Sequence, residues 1–197
     1  MTKRVAVLIS GGGSNMVCLL DSMIGDHPGR PILVLSNLPD VAGLRKAAQR
    51  GVPTEVVDYR TFGSDRKAFE SALCDVLRQY QPDLICMAGF MRILSADFVR
   101  LWRHKLINIH PSLLPQYKGL NTHTRALADG ARFVGCTVHY VTPNLDAGQV
   151  LGQAVVRVSK TDTAGTLAAN VLRQEHRLYP MVLRRILQGT LAPVYIS

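Results

Sequence analysis

Continuous apolar runs alternate with helix-period segments along most of this chain, and that alternation restricts it to few architectures. Arg4–Ile9 (RVAVLI) has no polar face, as expected of a parallel strand covered on both sides. A helix is expected over Ser14–Ile24, a strand over Pro31–Leu35, a helix over Ala42–Arg50 closed by Gly51, and a short strand over Thr54–Asp58. Asp65–Tyr80 follows as a helix, with Phe69, Ala72, Leu73, Val76, Leu77 and Tyr80 three and four residues apart. Asp83–Ala88 reads as a strand, Ser95 as the cap of a helix running to Trp102, Leu106–His110 as a strand, and Asn121–Asp129 as a short helix. Phe133–Thr142 and Val150–Val158 are expected to pair antiparallel at an edge of the sheet. Thr163–Leu178 and Pro180–Leu187 are expected as two separate helices. Repeated βα units give an α/β fold, a doubly wound, mostly parallel sheet with antiparallel late strands, in one domain over residues 1–197. In such sheets ligands gather at the carboxyl ends of strands.

The first such end is Ser10-Gly11-Gly12-Gly13-Ser14-Asn15, which opens a helix. Backbone N–H groups and a helix N-terminus suit a phosphate, and Ser14 and Asn15 sit where side chains could reach it. The alternative is a tight turn that is only rich in glycine. A dinucleotide loop would need glycine where Met16 stands and an acid near Ser36 and Asn37, and no Walker lysine occurs.

Asn108 and His110 alternate with Ile107 and Ile109, which puts them on one face of their strand, roughly 6.6 Å apart. Polar side chains on a strand covered on both faces form either a satisfied buried network or a site. His110 falls at the carboxyl end, before Pro111-Ser112-Leu113-Leu114-Pro115, and Asp146 lies in a turn between the two late strands. An amide can stabilise an oxyanion, an imidazole can donate a proton, and a carboxylate favours the charged imidazole. No nucleophile elbow and no HExxH spacing occur, so no covalent intermediate and no metal are expected, and direct acyl transfer remains. Thr137 and His139 share a face of their strand, where they either line the site or pack the sheet.

Asn108-Ile109-His110-Pro111-Ser112-Leu113-Leu114-Pro115 resembles the signature of the folate-dependent formyltransferases, which Leu145-Asp146-Ala147-Gly148 completes. The Gly13-Ser14-Asn15 loop is similar to that of the branch acting on glycinamide ribonucleotide, and Ala88–Leu94 and Gln174-Glu175-His176 extend the likeness over nearly the whole chain. The resemblance implies transfer of a formyl group from 10-formyltetrahydrofolate, a co-substrate, to the amine of 5'-phosphoribosylglycinamide in purine synthesis. It makes Asn108, His110 and Asp146 catalytic. It gives Gly13, Ser14, Asn15, Met16 and Val17 the phosphate, and Leu172, Arg173, Gln174 and Glu175 the rest of the ribonucleotide. Arg66, Met91, Arg92, Ile93, Leu94 and Asn108 would hold the folate, with Arg66 near its anionic tail. Thr142, Pro143, Asn144, Leu145 and Asp146 would close over the pterin. Asn121 stands where the family usually has histidine, and Lys118, Pro143-Asn144, Gln149 and Gly152 also depart from its pattern.

Rivals with the same trio are methionyl-tRNA formyltransferase, which carries a further C-terminal domain of about one hundred residues, formyltetrahydrofolate deformylase and sugar-nucleotide formyltransferases. Outside the class stands a basic nucleic-acid-binding module, since 23 Lys and Arg against 14 Asp and Glu give a formal charge of +9. The basic residues are scattered, apart from Arg173, Arg177, Arg184 and Arg185, so small anionic substrates are the better match and nucleic acid is disfavoured. The four cysteines form no CxxC pair, the first strand begins almost at Met1, and no apolar run reaches membrane-spanning length. A cytoplasmic monomer or homodimer without membrane contact is expected.

Overall fold

A computed structural model describes residues 2–190 and 192–197. Its elements in chain order are β1 (Lys3–Ile9), α1 (Ser14–Ser22), β2 (Gly29–Ser36), α2 (Ala42–Ala48), β3 (Thr54–Val56), a 3-10 turn (Tyr59–Phe62), α3 (Arg66–Tyr80), β4 (Leu84–Met87), α4 (Ala96–Leu101), β5 (Leu106–His110), α5 (Thr122–Ala128), β6 (Phe133–Tyr140), β7 (Val150–Arg157), α6 (Ala164–Leu187) and β8 (Val194–Ile196). The strand order is β3-β2-β1-β4-β5-β6-β7-β8, the mostly parallel, doubly wound sheet expected from the alternation. The chain divides into two compact units, residues 1–107 and 108–197.

In the first unit β1 pairs parallel with both β2 and β4, and β2 with β3. The interior of β1 is fully buried over Val5–Ile9, which explains its unbroken apolar run. The expected strand to Asp58 ends at Val56, because Asp58 instead caps the 3-10 turn, accepting from the Arg60 N–H at 3.1 Å.

In the second unit β6 and β7 pair antiparallel, as expected, but not at an edge: β8 adds parallel to β7 through Gly152–Ala154. The expected break at Pro180 is absent. One helix, α6, runs through it with Val171, Leu178, Tyr179, Val182 and Leu183 buried. The apolar stripe on both sides of the proline packs on β6 and β7, and this packing outweighs the backbone hydrogen bond that Pro180 removes. A Cβ on Gly152 would lie 2.7 Å from Val182 Cγ2, so glycine at this unusual position lets α6 approach β7 closely. Among the described residues no helix is long and apolar enough to cross a membrane. The four cysteines are free thiols.

Candidate active site

At the end of β1 the glycine loop and the first turn of α1 line a concavity of about 290 Å3, together with Lys46, Ala88 and Gly89. Gly13 is the N-cap of α1, at φ 68°, and no side chain caps the helix or places an acid in its first turn. The loop is pressed on α2: a Cβ on Gly43 would lie 2.5 Å from Ile9 Cδ1 and 2.8 Å from the Gly11 carbonyl oxygen. The Gly43 N–H donates to that carbonyl at 3.1 Å. Gly11 and Gly12 meet nothing on their open side. Ser14 and Asn15 line the concavity. Met16 is fully buried in the core, and neither it nor Val17 lines the concavity; the Val17 N–H donates to the Gly13 carbonyl at 2.9 Å. Lys46, which sequence reasoning passed over, donates from Nζ to the Gly12 carbonyl at 2.8 Å and brings a positive charge to the rim. No signature announces it; its only sequence signal is a cation one turn into the helix after β2.

The residues expected to meet folate within the first unit lie on α3 and in the segment after β4. Arg66 opens α3, and its side chain is 46% exposed. Met91, Arg92 and Ile93 are exposed while Leu94 is buried. The Arg92 guanidinium lies 4.3 Å over the Tyr59 ring.

The second unit brings the trio together. Asn108 is half-buried on β5 and His110 is buried at its end. His110 Nδ1 lies 3.4 Å from Asp146 Oδ2, and both side chains are almost wholly buried. His110 Nε2 lies 3.0 Å from the Tyr117 carbonyl oxygen. Asp146 sits at φ 47°, and its Oδ2 also accepts the Gly119 N–H at 2.9 Å. Arg125 Nη1 donates to the Lys118 and Leu120 carbonyls at 2.7 and 3.0 Å, which steadies the loop that carries Tyr117 and Gly119.

His139 belongs to this cluster more fully than its sequence position on a sheet strand suggested. Its Nδ1–H donates to the Tyr140 carbonyl at 2.9 Å, and Nε2 lies 3.4 Å from Asn108 Nδ2 and 3.7 Å from Asp146 Oδ1. Burial pushes His139 below the usual histidine range, which keeps Nε2 an acceptor for the Asn108 amide. Burial, and then the charge of His110, push His123 down as well. Thr137 packs the sheet instead of lining the site. Fully buried, it accepts the Leu114 N–H at 3.0 Å and donates to the Ser112 carbonyl at 2.6 Å, fixing the loop after β5.

Of the α6 residues, Glu175 is buried while Arg173 is exposed. Burial, reinforced by Glu175, pushes the Cys136 thiol far up, so it is no nucleophile. Thr142 is half-buried, donating to the Asn144 carbonyl at 3.0 Å, and Pro143, Asn144 and Leu145 are exposed. Among the described residues no group of three or more His, Cys, Asp or Glu could hold a metal ion.

A doubly wound sheet whose central strand ends in an amide, an imidazole and a supporting carboxylate is the architecture of an α/β group-transfer enzyme. The sequence profile of the formyl transferase family matches residues 3–183, and the chain belongs to that family. It is 46% identical over 188 residues to the human trifunctional purine biosynthetic protein adenosine-3, covering 95% of this chain but 18% of that protein's length. It is 42% identical over 189 residues to the phosphoribosylglycinamide formyltransferase of Escherichia coli, covering 95% of this chain and 89% of that one. The crystal structure of phosphoribosylglycinamide formyltransferase from Brucella melitensis superposes with a TM-score of 0.90 at 44% identity, over 98% of this chain and all of that one.

Proposed function

We propose that the protein transfers the formyl group of 10-formyltetrahydrofolate to the amine of 5'-phosphoribosylglycinamide, giving 5'-phosphoribosyl-N-formylglycinamide and tetrahydrofolate. The observation that carries this reading is the His110–Asp146 pair at 3.4 Å beside Asn108, in a chain of the formyl transferase family. The glycine loop with Lys46 supports a monophosphorylated acceptor. Exposed Met91 and Ile93, with Arg92 and Arg66 exposed in the same unit, suit an apolar ring system with an anionic tail.

The substrate amine adds to the formyl carbon, and negative charge collects on the formyl oxygen. One N–H of the Asn108 amide is directed at His139, and the other meets that oxygen. His110 donates to it as well, releasing the Tyr117 carbonyl that its Nε2 now faces. Asp146, against the imidazole at 3.4 Å, orients it and orders the water that carries the amine proton to the departing folate nitrogen. Leu172–Glu175 hold the ribonucleotide, and Thr142–Asp146 close over the pterin. The chain works as a single formyltransferase domain, since the family profile runs through both compact units. A cytoplasmic monomer or homodimer fits four free thiols.

Purified protein given both substrates tests the reading, with tetrahydrofolate release and formylated product followed together. Equimolar appearance of both is expected. Release with water alone would make it a deformylase, and turnover only with an amino-sugar nucleotide would move it to the sugar-nucleotide branch.

A further inference from the structure

Glu70 is buried on α3, with a side chain only 9% exposed, among the apolar positions Phe69, Leu73 and Leu77. A carboxylate there is costly unless several donors satisfy it. Its donors come from two places. Arg66 Nε donates to Oε1 at 3.0 Å from one turn earlier on the same helix. The Ser95 N–H donates to Oε1 at 2.6 Å, and the Ser95 hydroxyl donates to Oε2. Helix capping does not account for this arrangement, because Ser95 Oγ already accepts the Phe98 N–H of α4 at 3.2 Å.

The carboxylate therefore ties Arg66 to the residue that immediately follows Met91–Leu94. The other end of that segment is also held: the Met91 N–H donates to Ser10 Oγ at 2.8 Å, and Ser10 donates to Asn37 Oδ1 at 2.5 Å. Between these two anchors Met91 and Ile93 are left 67% and 71% exposed. With Nε held by Glu70, the two terminal nitrogens of the half-exposed Arg66 guanidinium form a fork suited to a carboxylate.

We propose that Glu70 is a positioning residue for the folate: it orients Arg66 toward the carboxylate tail and sets Arg66 in fixed relation to Met91–Leu94. This rests on the reading that Arg66 and Met91–Leu94 hold the folate.

Glu70→Gln tests the proposal, since it keeps the volume and an acceptor for Ser95 but removes the charge facing Arg66. Steady-state constants would be measured with 10-formyltetrahydrofolate and with 10-formyltetrahydropteroate, which lacks the glutamyl tail. We expect the KM for the tailed folate to rise about tenfold, the scale of one charge-assisted hydrogen bond. The KM for the tail-less folate, the KM for the ribonucleotide and kcat should stay within about twofold. An equal rise for both folates, or none, overturns the positioning role. If Glu70→Gln is too unstable to assay, Glu70→Asp, which keeps the charge at a shorter reach, is expected to give a smaller rise confined to the tailed folate; an equal rise for both, or none, again overturns the role. If Arg66→Ala leaves the wild-type preference for the tailed folate intact, the folate reading of this segment falls, and the proposal with it.

Discussion

Asp146→Asn isolates what the carboxylate does for His110. Asparagine has the same shape, tolerates the φ of 47°, and can still accept the Gly119 N–H through its amide oxygen. What it removes is one negative charge 3.4 Å from His110 Nδ1. At an effective dielectric of about 20, that separation corresponds to roughly 5 kcal/mol of Coulomb attraction to the imidazolium, an upper bound before desolvation is counted. If about half of it survives in the transition state, kcat falls by roughly a hundredfold. Tetrahydrofolate release under saturating substrates gives kcat, and thermal denaturation checks that the fold is intact. A kcat within threefold of wild type, at an unchanged Tm, would refute a charge-stabilising role for Asp146.

Lys46→Ala should raise the KM for the ribonucleotide about tenfold and leave kcat within twofold, as measured by initial rates over a range of that substrate. Gly43→Ala puts a Cβ 2.5 Å from Ile9 Cδ1, and urea denaturation should show about 1–3 kcal/mol of lost stability. Burial depresses His123, His139 and His176 below the ordinary histidine value of 6.5, so the unfolded chain takes up protons first as pH falls. Stability is then full above about pH 6.5 and is lost as pH falls toward the folded values. The Tm should drop between pH 7.5 and 5.5, less so in His139→Asn; a Tm that rises on acidification would contradict this.

Much of the fold was legible because β1 and β4 carry unbroken apolar runs, while α3 has a clear stripe of period 3.6. The continuity of α6 through Pro180 was not legible, since proline is a local signal and the packing of α6 on β6 and β7 is not. The strand Val194–Ile196 is three residues long and exists only through its pairing with β7. At the site, period 2 on β5 put Asn108 and His110 on one face. The approach of Asp146 depends on a turn with positive φ, which no periodicity encodes. His139 was visible as a polar residue on a buried strand, but its partner Asn108 is 31 positions away. Lys46 reaches the glycine loop across 34 residues, and Glu70 ties two segments whose closeness is a product of the fold.

The rate of formyl transfer by His110→Ala beside wild type, with both substrates saturating and Tm matched, tests most directly whether the reaction occurs at the end of β5. Loss of the proposed imidazole donor at the formyl oxygen predicts a fall of roughly a thousandfold in kcat, within the range of positioned acid–base groups. Transfer at close to the wild-type rate would contradict that placement of the chemistry.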